Sequence, residues 1–115
     1  MAASESAPDG LWIIDERGKT VYANEAMARI LGTSVDDLHG KDSFQYVFPE
    51  DLESAGQQFA AKREGNRSPF HFRLRRADGS AIWVDVQANP MHNAKGNFIG
   101  IVGSFTISKS NKSSR

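Results

Sequence analysis

Apolar and polar positions alternate most clearly between Phe70 and Ala88. Phe70, Phe72 and Leu74 interleave with His71, Arg73 and Arg75. After the turn "RADGS", Ile82, Val84, Val86 and Ala88 interleave with Trp83, Asp85 and Gln87. A period of two places alternate side chains on opposite faces of a strand, so this stretch predicts two paired strands. Pro90 is expected to end the second, and "NAKGN" makes a turn into a last strand, "FIGIVGSFTI". Near the N-terminus, two short β-rich runs flank "DERGK" and predict a hairpin.

Between these groups the period changes. In "NEAMARILG", Ala26, Met27, Ile30 and Leu31 recur at helical spacing. Asn24 suits the N-cap and Gly32 the position past the helix end. "SVDDLHG" reads as a second helical turn, with Ser34 and Asp37 resembling a capping box. A short turn and a longer helix follow in "DSFQYVFPEDLESAGQQFAAKREG". Pro49 fits its first turn, Leu52, Ala55 and Phe59 form its apolar stripe, and Lys62 and Arg63 complement the dipole at its C-terminal end. Strands grouped at both ends with helices between predict an α+β antiparallel sheet rather than a parallel βαβ fold.

A chain of 115 residues suggests one domain, large enough to fold without a metal or a disulfide. The absence of cysteine excludes a disulfide framework, thiolate catalysis and cysteine-ligated zinc. Balanced charge, 14 basic against 14 acidic side chains, argues against nucleic acid as a partner. No apolar run approaches the roughly 20 residues that span a bilayer, and the first residues lack the pattern of a signal peptide. The expectation is a cytoplasmic domain without membrane insertion. The last residues, "SKSNKSSR", are polar and read as a linker.

Candidate chemistry is sparse. His39, His71 and His92 are too widely spaced to suggest a metal site. The pairs Asp36–Asp37 and Glu50–Asp51 fall at helix starts, where capping explains them. Arg67, Arg73, Arg75 and Arg76, with Lys62 and Arg63, read as a solvated basic strip. No Ser-His-Asp spacing, phosphate loop or metalloprotease motif occurs, so no enzymatic activity is expected.

The segments "GLWIIDERGKTVYANEAMARILG", "SVDDLHGK", "VFPEDL", "RRADGSAIWVDVQANPM" and "GNFIGIVGSF" together resemble the Per-Arnt-Sim (PAS) sensory family. The resemblance runs from about Gly10 to Ser108 and rests on the combination, since no one motif is specific. It implies a domain over 10–108, with 1–9 a flank and 109–115 a tail. It also implies a five-stranded antiparallel sheet in the order 2-1-5-4-3, with short helices enclosing a cavity on one face. The implied role is a sensory or dimerisation module of a larger signalling protein, such as a sensor histidine kinase or diguanylate cyclase. The family's cysteine-dependent chromophores are excluded here. Its haem ligand is a histidine on the long helix, which has none, the matching position falling near Ala55, so haem is not expected. A noncovalent flavin or a small apolar ligand stays open, as does a core filled by its own side chains.

The resemblance turns Ile82, Val84 and Val86 toward the helices and Trp83 outward. Pocket candidates are Asn24, Phe44, Phe48, Phe59, Phe70, Phe72, Val84, Val86, Val102 and Ser104. If Gly100, Val102 and Ser104 face inward, then Ile99, Ile101, Phe105 and Ile107 lie outside beside Trp83 as a homodimer face, because so large an apolar patch is seldom left exposed. Trp12 has the opposite parity to Leu11 and Ile13 and could serve either face. Thr106, Ile107 and Ser108 stand where the family usually carries Asp-Ile-Thr and passes the signal to an output domain. The carboxylate missing there removes a salt-bridge partner often used at that joint.

Overall fold

The structure, a computed structural model, describes residues 9–108. The expected flank, apart from Asp9, and the expected tail lie outside the described residues. Five strands form one antiparallel sheet: β1 (Gly10–Asp15), β2 (Thr20–Ala23), β3 (Phe70–Arg75), β4 (Ala81–His92) and β5 (Phe98–Ile107). Their spatial order is β2-β1-β5-β4-β3, as the resemblance implies. Between β2 and β3 lie α1 (Glu25–Leu31), α2 (Val35–Leu38), two 3₁₀ turns (Ser43–Tyr46 and Pro49–Asp51) and α3 (Leu52–Arg63).

The local signals act as their chemistry dictates. The Asn24 side-chain oxygen accepts from the Met27 amide at 2.9 Å, and Gly32 closes α1 at φ 72°, a conformation glycine adopts without Cβ strain. Ser34 caps α2 by accepting from the Asp37 amide at 3.1 Å. In the β3–β4 turn, Asp78 accepts from the Ser80 amide and hydroxyl, and these bonds hold its carboxyl below the usual carboxylate range. The core lies between the helices and one face of the sheet. Met27, Leu31, Leu38 and Val84 are sealed in it, with Trp12, Leu74, Ile82, Val86 and Ile101 around them.

Three expectations about elements change. Pro90 does not end β4, which continues to His92 with Pro90 opposite Ile101. The last β3–β4 pair is Phe70 with Val86, so beyond it β4 has a free side where a missing N–H breaks no ladder bond. Leu52 is not on the buried stripe of α3 and is exposed. The third change is the facing of β5. Residues directly opposed in antiparallel strands share a face, and Gly103 pairs with both Ala88 and Trp12, which are buried. Phe105 opposes Val86, and Ile101 opposes Pro90. Ile101, Gly103 and Phe105 therefore face the helices, whereas Gly100, Val102 and Ser104 have the opposite parity.

The reason is an irregularity in the β4–β5 register between Met91 and His92. One extra residue in a strand exchanges the faces of everything beyond it. Gly100 sits at this place against β1, where a Cβ would collide with the Ile14 carbonyl oxygen.

Candidate functional site

The inner face of the sheet is not filled. At its centre, Ala88 and Gly103 oppose one another and Gly103 also opposes Trp12, so two small residues leave the floor low. Large rings stand around this floor: Phe44 from the first 3₁₀ turn, Phe59 from α3, Phe70 and Phe72 from β3, and Phe105 from β5. They bound an apolar cleft of about 110 Å³. All five rings are half buried rather than sealed, so the cleft is open to solvent along one side.

The rings fix one another. Phe44 and Phe59 lie 6.0 Å apart between centroids, and Phe59 meets Phe98 edge-on at 6.0 Å. Trp12 contacts Tyr46 at 5.9 Å and Phe105 at 5.5 Å. Its indole N–H donates to the Thr20 hydroxyl at 2.9 Å, which satisfies a buried polar group and locks the ring in the wall. Burial, and secondarily Asp37, push the Tyr46 phenol above its ordinary value.

α3 forms the lid. Ala55, Gln58, Phe59 and Lys62 fall at i, i+3, i+4 and i+7, one helical face, and all four line the cleft. Lys62 thus occupies an apolar position and is only 2% exposed. Its ammonium donates to the Ser68 carbonyl at 2.7 Å and to Asn66 Oδ1 at 3.4 Å, and it lies 5.4 Å from the Phe70 centroid. Burial, and secondarily the charge of Arg67, lower its pKa.

Of the expected pocket residues, Phe44, Phe59, Phe70, Phe72 and Val86 meet at this cleft. Asn24 does not; it accepts from the Leu11 and Met27 amides and donates to the Asp9 carbonyl. Phe48 lies under the Arg73 guanidinium at 4.5 Å. Val84 belongs to the sealed core, while Val102 and Ser104 lie on the outer face, where Ser104 donates to Asp9 at 3.2 Å. Ile101 and Phe105, expected outside, line the cleft with Trp12, Ile14 and Gly103. Lys62 was expected to be solvated, although its spacing from Ala55 and Phe59 carried the signal.

The outer face is mixed, with Leu11, Ile13, Tyr22, Trp83 and Val102 among polar side chains. Trp83 stacks on His71 at 4.8 Å and 14°, and His71 is 3.0 Å from Asp85. Ile99 is exposed, and Ile107 opposes Val84 at the exposed end of β5. Thr106 is exposed, while the Ser108 amide donates to the Trp83 carbonyl at 2.9 Å. The expected basic strip is dispersed: Arg73 pairs with Asp51 and Glu50, and Arg75 donates to the Gln45 carbonyl. Among the described residues no group of three or more His, Cys, Asp or Glu could hold a metal ion, and no helix is long and apolar enough to cross a membrane.

Comparison with known proteins agrees with this architecture. A family model described as the PAS fold matches residues 2–106. The C4-dicarboxylate transport sensor protein DctS of Rhodobacter capsulatus is 34% identical over 106 residues, covering 90% of this chain and 16% of the sensor. The chain spans less than a fifth of the curated relatives that it matches. Among solved structures, a PAS domain from Colwellia psychrerythraea superposes with TM-score 0.78 at 18% identity, covering 89% of this chain and 87% of that one. The light state of the Aureochrome1 LOV photoreceptor gives 0.77 at 22%, covering 97% and 91%. At these identities the structural likenesses establish the fold alone. The family match over nearly the whole chain, with the sheet order and the helical layer, makes this chain a member of the PAS family of sensory domains.

Proposed function

We propose that the chain is the ligand-sensing input module of a larger signal-transduction protein, and that its input is a small, mainly apolar molecule taken up between α3 and the inner face of the sheet. The observation that carries this reading is the aromatic cleft over the Ala88–Gly103 floor. Its size matches ligands on the scale of benzene, which an engineered cavity of roughly 150 Å³ accepts. Drug-sized molecules usually occupy roughly 300–1,000 Å³, so a flavin would require the cleft to open. A bound ligand would favour one spacing of α3 over the sheet and shift the population of two packings. β5 forms part of the floor and ends at Thr106 and Ile107; with Ser108 after it, this is the proposed route to an output domain.

The test is uptake of toluene followed by NMR. Shifts at Phe44, Phe59, Val86, Gly103 and Phe105, abolished by Gly103→Val, are expected. Saturating toluene without shifts there overturns the reading. A two-band flavin absorption in protein purified from cells would replace it with the alternative of a redox sensor carrying noncovalent flavin. For the outer face the proposed partner is a second copy of the chain, now resting on Trp83, Tyr22 and the half-buried Leu11, Ile13 and Val102. Weaker sedimentation-measured association of Trp83→Glu checks this.

A further inference from the structure

Lys62 is the feature that a purely apolar site does not explain. An ammonium has three protons, and here two are directed at neutral acceptors, the Ser68 carbonyl and the Asn66 amide oxygen. Among the described residues no carboxylate pairs with it; the ion pairs involve Arg29, His71 and Arg73. A cation removed from water is held at a cost unless an opposite charge or several acceptors compensate it. Among the described residues the other buried polar side chains, Thr20 and Ser108, are uncharged. Lys62 sits instead in the wall of the one aromatic cleft described above, one helical turn beyond Gln58 and Phe59.

Resting on the sensing reading above, we infer that the cleft selects a small organic anion: an apolar body lies among the Phe rings, and a carboxylate-type head meets Lys62 Nζ, with Gln58 and Ser43 as the other polar side chains in the lining. Without a ligand the ammonium is met by the Ser68 carbonyl, the Asn66 amide oxygen and the Phe70 ring, all uncharged, and a bound anion would add the opposite charge. Charge-assisted hydrogen bonds are about twice as strong as neutral ones. A neutral molecule of the same shape would gain the ring contacts but not this bond. The ammonium must be protonated, so binding should weaken at alkaline pH, beginning below the range of an ordinary lysine.

The experiment uses benzoate, its neutral isostere benzamide and toluene, titrated into the chain and followed by NMR. Benzoate is expected to bind at least about tenfold more tightly than benzamide, in line with a hydrogen bond to a charged group. Lys62→Met, similar in length and apolar, should erase that preference. Equal affinity for benzoate and benzamide in the unsubstituted chain, with toluene still bound, overturns the anion inference alone. Failure of all three to bind overturns the sensing reading and the inference with it. Should Lys62→Met not fold, the benzoate-to-benzamide ratio in the unsubstituted chain decides, together with its pH dependence.

Discussion

The two faces of the sheet are built from the same five strands and behave differently. On the outer face, long side chains satisfy one another: Trp83 lies on His71, His71 meets Asp85, and Gln87 donates to the Arg67 carbonyl at 2.9 Å. On the inner face, two small residues sit where the rings would otherwise close, and an apolar space remains. Protein interiors normally pack to crystal-like density, and a void forfeits the contacts of its lining. An open cleft beside a well-packed core of Met27, Leu31, Leu38 and Val84 is therefore the unusual part of this molecule. The proposed ligand site lies on the side where packing is incomplete, and the proposed partner face on the side where Trp83 is exposed.

The sharpest way to break this comparison is at neighbouring residues of β5. Ile101→Ala removes a buried side chain and should destabilise the domain by about 2–4 kcal/mol in urea unfolding. Val102→Ala, one residue on and half buried outside, should cost about 1 kcal/mol or less. A reversed order would put β5 back in the facing that its sequence first suggests. Next in size is Gly103→Ala. The new Cβ would meet the Phe105 ring at 2.8 Å, so the ring must shift. A loss of about 1–2 kcal/mol, with weaker toluene uptake, is expected. Asp85→Ala on the outer face should change stability by less than about 1 kcal/mol, because exposed ion pairs contribute little.

The smallest effect concerns pH. A lowered lysine pKa means that the unfolded chain binds more protons between the folded value and the ordinary one. Stability should therefore rise as pH climbs through that window, and the rise should vanish in Lys62→Met. Tyr46, raised by burial, works oppositely: beyond the ordinary tyrosine value the unfolded chain loses its proton first and stability falls. Urea melts between neutral and alkaline pH separate the two.

Much of the fold was legible because local chemistry and pattern agreed. β4 alternates, so the residues that share a face could be read from the sequence, and the resemblance turned Ile82, Val84 and Val86 inward. β5 offers no such contrast, since Phe98, Ile99, Ile101, Val102, Phe105 and Ile107 are apolar at both parities. Its facing depends on where the irregularity near Gly100 falls, and that is a property of the pairing, not of either strand alone. The phenylalanines of the cleft were recognisable as a group, but Phe48 was drawn away by Arg73, a contact between residues distant in the chain. Lys62 was misread because charge was weighed above position. Its place at i+7 from Ala55 marks the buried face, and its acceptors come from the following loop.

The chain has two tryptophans, and the structure puts them on opposite faces. Trp12 is in the wall of the cleft, with its indole N–H bonded to Thr20; Trp83 is outside on His71. A titration with toluene, watched through the two indole N–H resonances, tests the location of the ligand site directly. Movement of the Trp12 signal while that of Trp83 stays in place is the predicted result. Movement of Trp83 alone, or of neither at saturation, would contradict the account.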